Sequence, residues 1–82
     1  MKRSEIDYMQ LRELLIDFVA KDMNDDTDII IRELTDHDDT LLADFSGYAF
    51  DRTYLQFPMS MLTRDVVYYE RDIKTNEWDI VI

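Results

Sequence analysis

Acidic side chains are concentrated in residues 22–44, which read DMNDDTDIIIRELTDHDDTLLAD. This segment holds nine Asp and Glu residues and one cation, Arg32, so it carries a net charge of −8 out of −10 for the whole chain. Closely spaced carboxylates can coordinate a metal ion, or they can contact a cationic surface on another protein. Both kinds of chemistry depend on how the carboxylates are spaced.

One part of the segment has the ligand spacing of a calcium loop. Counting from the first aspartate, oxygen-bearing side chains occupy loop positions 1, 3, 5, 7 and 12, namely Asp22, Asn24, Asp26, Asp28 and Glu33. This pattern resembles the EF-hand family, and the resemblance implies a Ca²⁺ site that follows an incoming helix. The pattern departs from the family at position 6, where Thr27 replaces the glycine of the sharp turn, and after Glu33, where LTDHDDT is too polar for an outgoing helix. We therefore predict no metal site and no cofactor, and we keep calcium binding as a minor hypothesis.

The sequence offers little for catalysis. His37 is the single histidine, and it stands between Asp36 and Asp38 in a polar stretch whose side chains should point into water. The chain has no cysteine and one glycine, which excludes thiolate zinc sites, cysteine nucleophiles and glycine-rich phosphate loops. We therefore predict that the protein is not an enzyme.

Length and composition predict one folded domain with an acidic surface. The 82 residues are 46% hydrophobic and 12% aromatic, as in globular proteins, and we expect residues 1–82 to form a single domain. A net charge of −10 disfavours direct contact with nucleic acid or with an anionic membrane, because both require clustered cations. No apolar run is long enough for a membrane span or a signal peptide, so we expect a cytoplasmic protein. Its natural complements are basic proteins.

The N-terminal third predicts an amphipathic helix. Apolar residues recur at helical spacing and form one stripe, made of Leu11, Leu14, Leu15, Phe18 and Val19. Ser4 and Asp7 have the spacing of a capping box. Helix-disfavouring residues predict that the helix ends within residues 22–24.

The middle of the chain predicts β-structure. Residues 29–31 are three isoleucines, which favour a strand, and the polar residues 35–39 favour a turn. Residues 40–50 fit a strand, with Leu41, Ala43 and Phe45 on one side, and they also fit a helix. We favour the strand, because a glycine weakens the helix and the short preceding turn is typical of a hairpin. Pro58 should interrupt any element that begins in residues 54–57.

The C-terminal third predicts a β-hairpin. Residues 66–73 and 77–82 are rich in β-forming residues and are separated by a polar turn at 74–76. In the last strand the apolar side chains of one face alternate with Glu77 and Asp79, and that face comprises Trp78, Ile80 and Ile82. Because neighbours on a strand point to opposite faces, one of the adjacent Tyr68 and Tyr69 should face outward, where it could anchor a protein partner.

These elements predict an α+β fold. We expect an N-terminal amphipathic helix packed on a small antiparallel β-sheet that ends in the C-terminal β-hairpin. A C-terminal strand at the edge of this sheet would also be able to pair with a second copy, which would give a homodimer.

The sequence therefore favours a protein that binds a basic partner through its carboxylates. The predicted partner-binding residues are Asp25, Asp26, Asp28, Glu33, Asp36, Asp38, Asp39 and Asp44. In size, charge and lack of catalytic residues the chain is similar to small phage-encoded inhibitors, such as anti-CRISPR and antirestriction proteins and uracil-DNA glycosylase inhibitors. This similarity implies a nucleic-acid mimic that blocks the basic nucleic-acid-binding site of a partner protein. The alternative is an acidic interaction module, such as an immunity protein, an antitoxin or a small subunit of a complex.

Overall fold

The computed structural model describes residues 9–35 and 39–82, which form a four-stranded mixed sheet with short helices on one side. The helical segments are α1 (Leu11–Leu14), a π-helical turn (Leu15–Val19) that continues it, a 3₁₀ turn (Gly47–Ala49), α2 (Phe50–Tyr54) and α3 (Met59–Leu62). The strands are β1 (Asp28–Leu34), β2 (Asp39–Ser46), β3 (Tyr68–Asp72) and β4 (Glu77–Val81). The predicted α+β class is confirmed.

The first helix is short, and its last turn is π-helical. Four residues of the predicted stripe are fully buried, namely Leu11, Leu14, Leu15 and Val19. Phe18 is 42% exposed, because the hydrogen bond from Ala20 N–H to the Leu15 carbonyl widens the turn and changes the angular position of the side chains within it. Gln10 is the N-cap, and its N–H donates to the Glu13 carboxylate at 3.0 Å. The predicted capping pair Ser4 and Asp7 lies outside the described residues.

The strand order is β2-β1-β4-β3, and the central pair is parallel. The prediction of a wholly antiparallel sheet is therefore wrong, although both outer pairs, β1 with β2 and β3 with β4, are antiparallel. The two strands that bury the most apolar side chains, β1 and β4, take the centre, where both of their edges are hydrogen-bonded. Because β4 is not an edge strand, it cannot pair with a second copy in the way that the sequence suggested.

The helices cover one side of the sheet, which we call the core face. Ile29 and Ile31 of β1 and Ile80 of β4 are fully buried there, and Trp78 is 4% exposed. The Trp78 indole N–H donates to the Asp22 carbonyl at 2.9 Å. The core face therefore holds together the sheet and the segment that follows the first helix.

A β-bulge changes which side chains of β2 share a face. Ala43 pairs with Ile31, but the next pair joins Leu41 to Arg32, so Leu42 has no partner on β1. Paired residues point to the same face, so Leu41 lies with Arg32 on the side away from the helices. The prediction that Leu41, Ala43 and Phe45 share one side of the strand is thus confirmed for Ala43 and Phe45, which pack against the core, and is wrong for Leu41, which is 58% exposed.

Residues 40–57 contain both kinds of structure that the sequence allowed. The strand continues to Ser46, and helical structure begins at Gly47. Gly47 donates its N–H to the Thr27 carbonyl at 2.7 Å, and a Cβ atom at Gly47 would collide with the Asn24 carbonyl oxygen. The chain turns from strand to helix at this close approach. Pro58 stands at the N-cap of α3, after the end of α2, as a helix-interrupting residue should.

The C-terminal hairpin is confirmed. β3 and β4 pair from Tyr68 opposite Val81 to Asp72 opposite Glu77, and Asn76 adopts a positive φ of 58° in the turn. Tyr69 lies on the core face, with its ring 6.2 Å from that of Trp78, and Tyr68 lies on the other face. One of the two tyrosines faces outward, as predicted.

Candidate functional site

The side of the sheet opposite the helices, which we call the outer face, carries most of the charge of the strands. Its membership follows from the register, because paired residues on neighbouring strands point the same way. The outer-face residues run from β2 to β3 in rows: Ser46, Asp28, Glu77 and Asp72; then Asp44, Ile30, Asp79 and Glu70; then Leu41, Arg32, Val81 and Tyr68; and finally Asp39 and Leu34. Among these described positions, seven are carboxylates and one is a cation.

The first two rows form what we call the carboxylate half of the outer face. Its six acidic residues come from all four strands, and they are Asp28, Asp44, Glu70, Asp72, Glu77 and Asp79. Neighbouring strands lie about 4.8 Å apart, and alternate residues along a strand are about 6.6 Å apart. The sheet therefore holds these carboxylates in a two-dimensional array with fixed spacing.

Asp28 lies where this array is most crowded. A hydrogen bond with the Asp44 side chain, partial burial and repulsion by Asp44 and Glu77 together raise the pKa of Asp28 from its ordinary value of 3.8 to about 6. The raised pKa means that ionisation of Asp28 costs more free energy in the folded protein than it would in an isolated side chain. The raised pKa of Asp28 is therefore a sign of its crowded acidic surroundings.

Arg32 lies between the carboxylate half and the rest of the outer face. Its guanidinium binds the Asp79 carboxylate at 2.5 Å and lies 3.9 Å from Asp39. The pairing orients Asp79 and neutralises it in part, because a guanidinium and a carboxylate form strong charge-assisted hydrogen bonds. The Arg32 Nε atom is buried and has no hydrogen-bond partner, so the side chain is held by its terminal nitrogens.

The remaining two rows form what we call the apolar half of the outer face. Three of its side chains are more than half exposed: Leu34 at 54%, Leu41 at 58% and Tyr68 at 52%. Val81 lies beside Tyr68 and is 8% exposed. The Tyr68 hydroxyl donates to the Glu70 carboxylate at 3.0 Å, and this hydrogen bond to a neighbouring negative charge raises the pKa of Tyr68. Tyr68 thus connects the apolar half to the carboxylate half.

The structure brings together three of the eight predicted partner-binding residues. Asp28, Asp39 and Asp44 lie on the outer face. Asp25 and Asp26 are exposed in the turn that precedes β1, at the end of the sheet.

Of the remaining three predicted residues, the structure describes Glu33 alone. Glu33 points to the opposite side from Asp28, and it forms an ion pair with Arg64 at 2.6 Å. Asp36 and Asp38, like His37 between them, lie outside the described residues.

Four carboxylates of the outer face were missed in the sequence, and all four belong to the C-terminal hairpin. They are Glu70, Asp72, Glu77 and Asp79. Their signal was the alternation of acidic and buried residues in β4, which places Glu77 and Asp79 on one face. The alternation does not predict the parallel pairing of β4 with β1, and this pairing places Glu77 and Asp79 near Asp28.

The geometry of residues 22–33 is not that of an EF-hand loop. β1 begins at Asp28, so the second half of the proposed loop is extended strand, and Glu33 lies about 16 Å along it from Asp28. Asp22 binds Arg71 at 3.3 Å, and Glu33 binds Arg64. Within residues 9–35 and 39–82, no group of three or more His, Cys, Asp or Glu side chains is arranged to hold a metal ion.

A groove of about 340 Å³ lies on the other side of the molecule, between the first helix and the edge of the sheet. Its lining comprises Asp17, Phe18, Lys21, Asp22, Tyr69 and Trp78. The Arg71 guanidinium already lies 5.9 Å from the centre of the Trp78 ring and donates to Asp22. Arg71 therefore already occupies the position that a cation from a ligand would take in this groove. The outer face is the better candidate site.

Comparisons with known proteins add no second line of evidence for this site. No protein-family model, no curated protein and no solved structure matches the chain. In the part of the chain that the structure describes, none of the helices has the length and apolarity needed to cross a membrane. The carboxylates of the outer face are the feature from which a function can be inferred.

Proposed function

We propose that this protein is a binding inhibitor of the phage-encoded type, which acts in the cytoplasm as a nucleic-acid mimic. Its outer face occupies the basic nucleic-acid-binding site of a partner protein, and it acts by binding rather than by catalysis. The observation that supports this proposal is the carboxylate half of the outer face, where six acidic side chains from four strands form an ordered array.

The spacing of the array suits such mimicry. Carboxylates about 6.6 Å apart along a strand have a separation comparable to that of neighbouring phosphates in a nucleic-acid backbone. A hydrogen-bonded sheet also fixes these groups before binding, so little conformational entropy is lost when the partner arrives. Lysine and arginine side chains that normally contact phosphates would meet carboxylates at similar distances, and the long-range attraction would speed association.

The raised pKa of Asp28 also supports the proposal. The hydrogen bond with Asp44, partial burial and repulsion by Asp44 and Glu77 together raise the Asp28 pKa to about 6, and the fold keeps these carboxylates side by side. A cationic partner would relieve this repulsion and favour the ionised form of Asp28. We therefore expect binding to release a proton and to be tighter at pH 7.5 than at a pH of about 5.5.

The experiment uses the protein as bait for partners in a bacterial lysate, in three matched forms. The first is the wild type. The second, the outer-face variant, carries Asp44→Asn, Glu70→Gln and Glu77→Gln. The third, the charge-matched control, carries Asp17→Asn, Asp51→Asn and Asp65→Asn, which lie on other parts of the surface. Both variants lose the same charge, so any difference between them reports where the charge lies.

The proposal expects a basic nucleic-acid-binding protein that the wild type and the charge-matched control capture and the outer-face variant does not. Added DNA and added salt should both release it, because the mimic and the nucleic acid compete for one site. Capture that the outer-face variant retains would remove this surface from the interface. Capture that DNA leaves unchanged would contradict mimicry and would favour an immunity protein, an antitoxin or a small subunit, which bind a basic partner elsewhere.

A further inference from the structure

The apolar half of the outer face is not explained by phosphate mimicry. Leu34, Leu41 and Tyr68 are each more than half exposed, and they lie in the two rows next to the carboxylates. Carboxylates alone would satisfy a purely electrostatic contact. Exposed apolar side chains next to them add nothing to such a contact, and clustered exposed apolar groups typically mark protein interfaces.

The two halves are joined by specific contacts. The Tyr68 hydroxyl binds Glu70 at 3.0 Å, and Arg32, which pairs with Leu41 across the bulge, binds Asp79. The ring of Tyr68 is thereby held at the boundary between acidic and apolar rows. An aromatic ring fixed in this position is the type of residue that anchors interfaces, because it buries a large area at little cost in side-chain entropy.

The charge of the molecule indicates which kind of partner fits. A second copy of this chain also carries a net charge of −10, so face-to-face contact would bring two acidic arrays together. A cationic surface would instead be attracted by the carboxylate half. The apolar half would then require an apolar or aromatic patch at the border of the cations.

We propose that the partner site is a basic surface bordered by an apolar or aromatic patch, and that Tyr68 and Leu41 dock on this patch while the carboxylates contact the cations. This inference rests on the proposed function and adds the second chemical element of the partner. A partner that binds nucleotides would present such a patch where its aromatic side chains stack on bases.

Two lysine-rich peptides of equal charge test this inference without knowledge of the partner. One peptide has phenylalanine interspersed among the lysines and the other has serine, and binding is followed by the fluorescence anisotropy of a dye on the peptide at moderate salt. The wild type should bind the phenylalanine peptide about tenfold more tightly, because the apolar half can bury the aromatic side chains. Equal affinity for the two peptides overturns the inference.

Matched variants assign the preference to the outer face. The Tyr68→Ser, Leu41→Ser double variant should lose most of the tenfold preference. The Tyr48→Ser, Leu55→Ser double variant removes a tyrosine and a leucine that are even more exposed, at 70% and 81%, and should keep it. Circular dichroism confirms that both variants are folded. A preference that both double variants retain, or that both lose, overturns the inference.

Failure of this inference can be told apart from failure of the proposed function. The outer-face variant with Asp44→Asn, Glu70→Gln and Glu77→Gln should weaken binding of both peptides by a similar factor. If it does so while the phenylalanine peptide shows no advantage, the carboxylate half binds cations and only the further inference is wrong.

If the outer-face variant binds both peptides as tightly as the charge-matched control does, the proposed function fails. If sedimentation shows that wild type dimerises and the Tyr68→Ser, Leu41→Ser variant does not, the apolar half serves self-association and the inference is wrong.

Discussion

On the core face of the sheet Ile29, Ile31 and Ile80 are fully buried, whereas the outer face of the same strands carries the carboxylates Asp28, Glu77 and Asp79. The core face gains free energy from burial of apolar surface. The outer face loses free energy through repulsion, as the raised pKa of Asp28 indicates. One sheet thus combines a stabilising surface with a costly one, and the costly one is the surface for which we propose a binding role.

The largest expected difference between the two faces is in the response to loss of a side chain. Ile31→Ala should lower the free energy of unfolding by about 3 kcal/mol, because it leaves a cavity in the core. Its chain neighbour Ile30 lies on the outer face and is half-buried. Ile30→Ala should lower the free energy of unfolding by about 1 kcal/mol or less, since less apolar area returns to water. Urea unfolding measures both changes, and equal losses would contradict the assignment of the faces.

The buried polar residue Thr27 should stabilise the fold, whereas the carboxylates of the outer face should destabilise it. Thr27 is fully buried at the end of β1, and its hydroxyl donates to Asn76 at 2.8 Å and accepts the Asn24 N–H at 2.9 Å. Thr27→Val should lower the free energy of unfolding by about 2 kcal/mol, because the buried hydroxyl and its hydrogen bonds to Asn76 and Asn24 are lost. Thr40→Val, at an exposed strand position, is the control and should have little effect or stabilise slightly. Equal effects of the two substitutions would show that the Thr27 hydrogen bonds do not stabilise the fold.

The stability of the protein should depend on pH through Asp28, which lies on the outer face. Because the Asp28 pKa is about 6 in the folded protein and near 3.8 when the residue is free of its neighbours, the folded state binds more protons between these values. The contribution of Asp28 to stability should therefore increase as pH falls from above 6 to about 4. At pH 7 Asp28→Asn should raise the free energy of unfolding, by up to about 1 kcal/mol, since it removes a repelled charge.

The control for this experiment is Asp25→Asn, which removes an exposed charge from the turn before β1. Unfolding curves at a series of pH values between about 4 and about 7.5 compare the two variants with the wild type. The difference in stability between Asp28→Asn and wild type should shrink as the pH is lowered, while that for Asp25→Asn stays nearly constant. A constant difference for both variants would show that Asp28 does not carry the raised pKa.

The smallest expected effect is that of salt on thermal stability. Raising the ionic strength from about 0.01 M to about 0.15 M shortens the Debye length from about 30 Å to about 8 Å and screens the carboxylates from one another. The Tm of the wild type should rise by a few degrees. The outer-face variant should show a smaller rise than the charge-matched control. A Tm of the wild type that is independent of salt would argue against repulsion on the outer face.

The core face was largely predictable from the sequence. The alternation of Trp78 and Ile80 in β4 predicted inward positions, because the side-chain period of a strand is two residues. The three isoleucines of residues 29–31 predicted a strand, but not which of them face the core. The same rule of alternation places Asp28 and Glu33 on opposite faces of β1, because they are five residues apart. Both were nevertheless predicted to bind one partner, since the prediction followed the acidity of residues 22–44 and not the alternation. Leu41 was misplaced for a different reason, since a β-bulge reverses the alternation and has no clear sequence signal here.

The composition of the outer face could not be predicted in full, because periodicity identifies the faces of strands and not their neighbours. The acidic segment accounted for Asp28 and Asp44, but Glu77 and Asp79 stood in a separate hairpin. Only the parallel pairing of β1 with β4 joins the two groups. Such a pairing depends on the connection between strands, which an apolar pattern does not encode.

The parallel pairing at the centre of the sheet also has a consequence for how the protein folds. Arg32 and Asp79, which bind each other across these two strands, are 47 positions apart in the chain. β4 is the last of the four strands in the chain, so the centre of the sheet is incomplete until residues 77–81 pair with β1. We expect the sheet to fold more slowly than a sheet made only of adjacent hairpins, because distant contacts require closure of a long loop.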